Sequence, residues 1–549
     1  MTSDRGRLTG TDLFWLAGVL AVAVLIFAEL FNFAAHPFED AAILMRYSQH
    51  IAQGHGIVWN LGQPPVDGAT DFLFMIVVAL VTKLGVPLTR APQWLSFIAH
   101  LLTVALIFVS ARRLFRAPAW LAAFLGAYIA VGPALNYINS SFGTTFFALF
   151  ALTTWLCAVM VFRRNSTAYA VLFALSSLLM GLTRPEGVLL SLFMAAAVVW
   201  YLGPRTSRRF FACYVAVFGV LGLAYFLWRW HYFGYPLPNP FYRKGGGLLH
   251  LRSLLASLHN ILQLCAPLLG VAVVLGIIVK DARPSREATA SLIPVTGFTL
   301  IWVLLSNEMN WYGRFQYAIL PVILLAIPAF LENYRDRLRL PTLRAWRRHA
   351  VAVVLVGVGL AGALVWQRYQ FQVEFFPDGR YDVAAKLARY RDRGYTIATT
   401  DAGLLPLVSE WRALDAWGLN DQWVAHHGLV TPEYLDRYHP EVIQFQALGF
   451  SPLVAPSRGG FLIDNEALYQ TELVLKAYAE TRGYRLASAF GPSPRWVDYY
   501  YVRADLAEAD ELVRLIQETD YRYYTDGRKC IDYARLQWRE PAPALPQGR

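Results

Sequence analysis

The chain has 549 residues, 56% hydrophobic and only 16% charged, with a mean hydropathy of +0.37; a soluble domain carries about 25% charged residues, so this composition excludes a soluble globular protein. Its 49 basic and 38 acidic residues give +11, but residues 1–367 hold 28 basic against 13 acidic while residues 368–549 hold 21 against 25. The positive excess therefore belongs to loops between membrane spans, and nucleic acid is not an expected partner. Apolar stretches near the length of a bilayer helix also exclude a porin-like barrel, whose strands alternate over about 10 residues.

The first apolar run, 11–33, follows Arg5 and Arg7 as a signal peptide would, but it exceeds a signal core of about 7–15 residues and reads as a retained span. Further spans are predicted at 91–110, 119–138, 144–162, 168–182, 187–202, 210–230, 261–279, 290–305, 315–331 and 350–366, eleven in all. The run 72–84 is too short to cross and suits a helix at the interface. With 72–84 held out of the membrane, Arg112, Arg113 and Arg116, Arg163 and Arg164, Arg205, Arg208 and Arg209, Lys280, Arg283 and Arg286, and the basic residues of 335–348 all fall on the cytoplasmic side. The amino terminus is then inside and the tail outside.

Two domains are expected: a membrane module, 1–367, with a first outer loop at 34–90, and an extracytoplasmic tail, 368–549. The tail alternates β-like runs at 395–399, 441–445, 484–490 and 496–502 with helical patterns at 466–481 and 506–518, the signature of a small α/β domain. Cys157, Cys213 and Cys265 lie in apolar stretches and Cys530 stands alone in the tail, so neither a disulfide within the tail nor a metal-ligand spacing is expected.

Chemistry is sought on the outer face. His36-Pro37-Phe38-Glu39-Asp40 follows the first span and opens an amphipathic helix through Ile43, Leu44, Tyr47 and Ile51. Adjacent carboxylates here suit the start of a helix, where the dipole favours them, or a general base that accepts the proton of an attacking hydroxyl. Cations at outer span ends run against the charge bias: Arg184 in Thr183-Arg184-Pro185-Glu186-Gly187, Arg243 and Lys244 after Asn239 and Tyr242, and Arg314 after Glu308. Each could snorkel or pair with Glu186 or Glu308; together they suit a phosphate site, where arginine forks onto oxygens and lysine acts as a point charge. Glu29, an acid inside the first span, ranks below them.

The runs Glu39 to Tyr47, Gly54-His55-Gly56-Ile57-Val58-Trp59-Asn60 and Val66-Asp67-Gly68-Ala69-Thr70-Asp71 resemble the first outer loop of GT-C glycosyltransferases, most of all the mycobacterial-type arabinofuranosyltransferase branch. The similarity continues in Arg184-Pro185-Glu186-Gly187, in 234–244, in Arg314-Phe315, in Asp401-Ala402-Gly403 and in 414–421. It implies a polytopic α-helical GT-C fold with an extracytoplasmic α/β domain, and inverting transfer of a sugar from a polyprenyl-phosphate donor. By position, Glu39 and Asp40 match the acidic pair from which the base comes. Arg184, Lys244 and Arg314 match donor-phosphate positions, Arg243 is a further donor-phosphate candidate beside Lys244, and His55, Glu186, Glu308, Asn239 and Tyr242 are the substrate-binding candidates. The family often has Ser-Gly-hydrophobic-Glu-Thr where this chain reads Ser140-Ser141-Phe142-Gly143-Thr144, without the acid.

The expected activity is therefore arabinofuranosyl or similar transfer to a polysaccharide, glycolipid or protein acceptor, at the plasma membrane of a bacterium, among membrane lipids. A mannosyl or other hexosyl transferase of the same fold is the nearest alternative, and a lipid-sugar flippase the alternative of another class. Polar groups confined to one face, and the absence of repeat halves, weigh against the flippase. No cofactor beyond the lipid donor is implied, and the sequence leaves a divalent-metal requirement open.

Overall fold

A computed structural model describes residues 8–32, 35–278, 284–332, 377–456 and 466–536, with 350, 354, 357–359, 361–363 and 365–366 of the segment between. The eleventh predicted span, 350–366, thus falls partly outside the described residues. The chain forms two compact units that interleave along the sequence. One comprises residues 1–34, 70–237 and 244–373. The other joins 35–69 and 238–243 to the tail from 374, so most of the first outer loop belongs with the tail's unit.

The first unit is helical. Among the described residues six helices are long and apolar enough to cross a membrane: Gly10–Leu30, Ala91–Arg113, Ala119–Asn139, Thr144–Arg164, Arg208–Phe233 and Trp311–Leu331. Phe72–Lys83, Thr167–Thr183 and Glu186–Leu202 are shorter apolar helices. Helix Leu251–Ile278 carries Pro267 in its interior, and Arg286–Leu300 carries Pro294. Phe72–Lys83 has 12 residues, so the run read as too short to cross is indeed short.

Ion pairs gather one set of helix ends. The first helix opens in a capping box, Thr9 with Asp12, and Asp12 also receives Arg112 at 2.6 Å from the end of Ala91–Arg113. Arg163, ending Thr144–Arg164, meets Glu287 at 2.8 Å and Glu332 at 3.2 Å. These are the ends to which the charge pattern assigned the cytoplasm.

Among its described residues the second unit is built on a mixed sheet of six strands: β1 (Thr396–Thr399), β2 (Arg412–Asp415), β3 (Val442–Leu448), β4 (Tyr484–Ser493), β5 (Trp496–Arg503) and β6 (Ile531–Asp532), in the order β2-β1-β3-β5-β4-β6. β1 lies parallel to β2 and β3, and the remaining pairs are antiparallel. Strand alternation sorts the faces. Ile443, Phe445 and Ala447 turn to a core shared with Tyr499, Tyr501, Tyr469 and Leu475, and Phe445 stacks on its cross-strand partner Tyr499 at 4.9 Å. Helix Glu466–Thr481 has the predicted bounds. β2 and the short helices Leu404–Ser409, Gln422–His427 and Pro432–Tyr438 were not predicted, being too brief for periodicity to reveal.

Candidate functional site

Glu39 and Asp40 are the first two residues of helix Glu39–Ala52 in the α/β unit. The expected helix forms and is amphipathic in sequence, but it is buried on more than its apolar face. Ala41 to Ser48 are all buried, because the 35–69 segment is clasped by the tail rather than laid on a surface. Arg46 in its middle shows how. Its guanidinium, 3% exposed, donates to the Trp59 carbonyl at 2.9 Å, to Asn60 Oδ1 at 3.2 Å, to the Trp411 carbonyl at 2.8 Å and to the Pro406 carbonyl. The ring of Trp59 lies 4.8 Å from it. Asn60 and Trp59 also bond to Ala413 in β2, and Tyr47 donates to Val66 O and Asn420 Oδ1.

Glu39 Oε1 accepts from the backbone N–H of Gly403 and of Leu404, the latter at 3.1 Å, while Oε2 lies 3.9 Å from Arg380 Nη1. Gly403 is required by that approach, since a Cβ there would collide with the Glu39 carbonyl. Arg380 is 4% exposed; it forks onto Asp378 at 2.7 and 3.1 Å, reaches Asp401 at 3.2 Å and lies 4.7 Å from the Tyr524 ring. Burial pushes Glu39 up to about 8, opposed by Arg380 and reinforced by Asp401 and Asp378. Asp40 is half-buried at the next position. His55 is exposed beyond the far end of the same helix, roughly 20 Å along its axis from Glu39.

Asn239, Tyr242 and Arg243 also lie in this unit. Asn239 is 2% exposed and donates its backbone N–H to the Asp67 carbonyl; its Nδ2 has no hydrogen-bond partner among the described residues. Tyr242 packs on His426 at 4.5 Å, and the Arg243 guanidinium sits 3.7 Å over the Trp417 ring while Nε donates to the Trp417 carbonyl.

The helical unit holds a second constellation. Arg184 Nη1 meets Asp71 Oδ1 at 2.9 Å and Nε meets Glu186 Oε1 at 2.6 Å, and its guanidinium lies 4.9 Å from the Phe315 ring. Arg314, 7% exposed, lies 3.9 Å over Phe142 and 4.9 Å from the same Phe315. Two guanidiniums and two carboxylates thus surround an aromatic floor. Burial would depress Arg184, but Asp71 and Glu186 hold it above its ordinary value. Burial raises Asp71, against the pull of Arg184 and Arg314. Where the resembled family carries a Glu, Gly143 leaves no room for one: a Cβ would stand 2.7 Å from Phe74, a fully buried ring of helix Phe72–Lys83. Arg314 finds the face of Phe142 there instead.

The structure thus brings together Arg184, Glu186 and Arg314, with Glu308 on the turn before Arg314. Arg243 falls in the other unit, while Lys244, the next residue, belongs with the helices. Sequence reasoning did not single out Asp71, Phe142, Arg46 or Arg380. Asp71, Arg46 and Phe142 stood inside quoted runs without being picked out, and Arg380 gave no local signal.

A family model described as a domain of unknown function matches residues 363–513. No curated protein matches the chain. Among solved structures, ArnT from Cupriavidus metallidurans in the apo state superposes with a TM-score of 0.56 at 15% identity, covering 89% of this chain and 98% of that one. The same protein bound to undecaprenyl phosphate gives 0.55 at 15% identity, covering 91% and 99%. The oligosaccharyltransferase AglB from Archaeoglobus fulgidus, in complex with an inhibitory peptide and a dolichol-phosphate, gives 0.50 at 12%, covering 90% and 75%. At these identities the likeness is one of fold. The chain shares the GT-C fold of these proteins, and the arabinofuranosyltransferase branch is not singled out among them.

Proposed function

We propose that this protein is an inverting glycosyltransferase that takes a sugar, arabinofuranose or a related pentose, from a polyprenyl-phosphate donor and gives it to an acceptor hydroxyl on the extracytoplasmic side of a bacterial plasma membrane. The observation that carries the reading is the Arg184–Asp71–Glu186–Arg314 constellation over Phe315, in a fold shared with a protein that binds undecaprenyl phosphate. Arg314 supplies a fork for phosphate oxygens, Arg184 supplies charge held in place by its two carboxylates, and Lys244 adds to the field as a point charge. Neutralising the departing phosphate stabilises the charge that develops as the glycosidic bond breaks.

Asp40 is the proposed general base. Glu39, whose Oε1 accepts from Gly403 and Leu404 while Oε2 faces Arg380 at 3.9 Å without a hydrogen bond among the described residues, is assigned as a positioning residue that fixes the start of the helix carrying Asp40. On the eleven-span reading of the charge pattern both face the outer side, and the tail serves acceptor presentation. The test incubates purified protein with radiolabelled undecaprenyl-phosphate pentoses and hexoses and with polysaccharide, glycolipid and peptide acceptors. Transfer with release of undecaprenyl phosphate supports the reading, and a pentose preference supports its finer part. Movement of labelled lipid between vesicle leaflets with no transfer product overturns it.

A further inference from the structure

Arg314 closes a turn, residues 307–314, in which Trp311 donates its backbone N–H to the Met309 carbonyl at 2.9 Å and Arg314 donates its own to the Trp311 carbonyl at 3.1 Å. Within it Met309 has φ 59°, Tyr312 φ 55° and Gly313 φ 68°, and the first two lack the freedom that makes this region easy for glycine. Such backbone persists only where its surroundings over-determine it.

Here the surroundings are four carboxamides. Asn310 Oδ1 accepts the backbone N–H of Phe315, the residue directly after Arg314, at 3.0 Å. Asn310 Nδ2 donates to Asn307 Oδ1 at 2.9 Å and to Gln316 Oε1 at 2.7 Å. Gln316, fully buried, also accepts from Asn260 Nδ2 at 3.2 Å and donates to Asn307 Oδ1 at 3.3 Å. Asn307 in turn donates its backbone N–H to Ser253 Oγ at 2.9 Å. From the opposite side the Tyr137 hydroxyl donates to the Tyr312 carbonyl at 2.7 Å. So many polar groups at the end of an apolar helix are costly to bury, and a fully connected network of this kind fixes one geometry.

We propose that Asn310 is the positioning residue that aims Arg314 at the donor phosphate, an inference that rests on the assignment of Arg314 made above. Among the four amides it alone bonds to the backbone next to Arg314 while spending both amide hydrogens on the rest of the network. A guanidinium fork recognises a phosphate only at the right angle, so holding the turn in one conformation sets how well Arg314 binds. Asn310→Ala frees the Phe315 N–H and leaves Asn307 and Gln316 each short of a donor. Arg314 then keeps its charge and loses its aim.

The experiment is a double-mutant cycle on the full-length protein in nanodiscs, reading the affinity for undecaprenyl phosphate. Asn310→Ala should weaken binding about 10-fold in the native background and by less than about 2-fold in the Arg314→Gln background, because it acts through Arg314. Wild-type affinity in Arg314→Gln overturns the phosphate-site reading, whatever Asn310 does. If Arg314→Gln binds weakly, then an unchanged Asn310→Ala, or a loss that persists in full in the Arg314→Gln background, overturns the positioning role alone. Should Asn310→Ala not fold, Asn260→Ala removes a single donor from Gln316 at the edge of the network. It should show the same loss, smaller and again absent in the Arg314→Gln background, and an additive loss there overturns the proposal.

Discussion

Replacing Glu39 with Gln and Asp40 with Asn separates the two adjacent acids by physics before it separates them by chemistry. In Glu39→Gln the amide oxygen can keep accepting from Gly403 and Leu404 as Glu39 Oε1 does, so the substitution preserves the loop contact and removes only the titration. Glu39 is held up to about 8 by burial, against an ordinary 4.5. Below 4.5 the folded and unfolded chains both hold the proton. Between 4.5 and 8 the unfolded chain ionises while the folded one does not, so the native protein loses stability as pH rises through this window. The difference corresponds to at most about 5 kcal/mol by about pH 8. Glu39→Gln has no proton to lose there. Its melting temperature relative to wild type, read by scanning fluorimetry in detergent, should therefore climb in its favour from about pH 5 to about pH 8. Turnover should stay within the order of wild type for Glu39→Gln and fall about 100-fold or more for Asp40→Asn, the usual contribution of a general base. A melting difference that is flat with pH refutes the buried protonated Glu39. A collapse of turnover in Glu39→Gln, with Asp40→Asn near normal at matched folded fraction, reverses the assignment of the base.

Arg46→Lys should destabilise the α/β unit by about 3 kcal/mol or more, since an ammonium cannot serve the four acceptors of a fork and each abandoned buried carbonyl costs about 1–3 kcal/mol; thermal melts monitored by tryptophan fluorescence check it. Gly403→Ala should lower the melting temperature and turnover together, because its Cβ meets the Glu39 carbonyl, whereas Gly222→Ala, with nothing within 4 Å, should be neutral in both assays. Cysteines introduced beside Arg112 and beside Asp421 should lie on opposite sides of the membrane; labelling of the Arg112 position in intact cells by an impermeant thiol reagent would sink the eleven-span topology.

What could be read from sequence divides by the range over which the responsible forces act. Helix Glu466–Thr481 and strands β3, β4 and β5 declare themselves through side-chain period, which is local, and the shortness of Phe72–Lys83 is a matter of counting. Arg184 and Glu186 stand two residues apart, and their ion pair could be anticipated. Arg46 could not be interpreted, because two of its acceptors lie at Pro406 and Trp411, some 360 residues along the chain. The one local clue was an arginine inside the apolar run Ala41 to Tyr47, a position that only a buried and fully bonded guanidinium tolerates. Arg380 was just one among 21 basic residues of the tail, yet it binds Asp378 and Asp401 and faces Glu39.

The same contacts change what the motif resemblances mean. Asp401-Ala402-Gly403 receives Glu39, and in the run 414–421 Asp415 binds the N–H groups of Trp417, Gly418 and Asn420 while Asn420 reaches Tyr47. Gly68 is forced by the same packing, since a Cβ there would collide with Asn420. Stretches far apart in the chain that match one family in order are therefore two sides of one packed surface, and a match in one constrains the other. For these stretches the resemblance follows from packing, independent of any substrate. It carries the fold across to this chain with little bearing on substrate, whereas Asp40, Asn310 and Arg314 are where substitutions will read out chemistry.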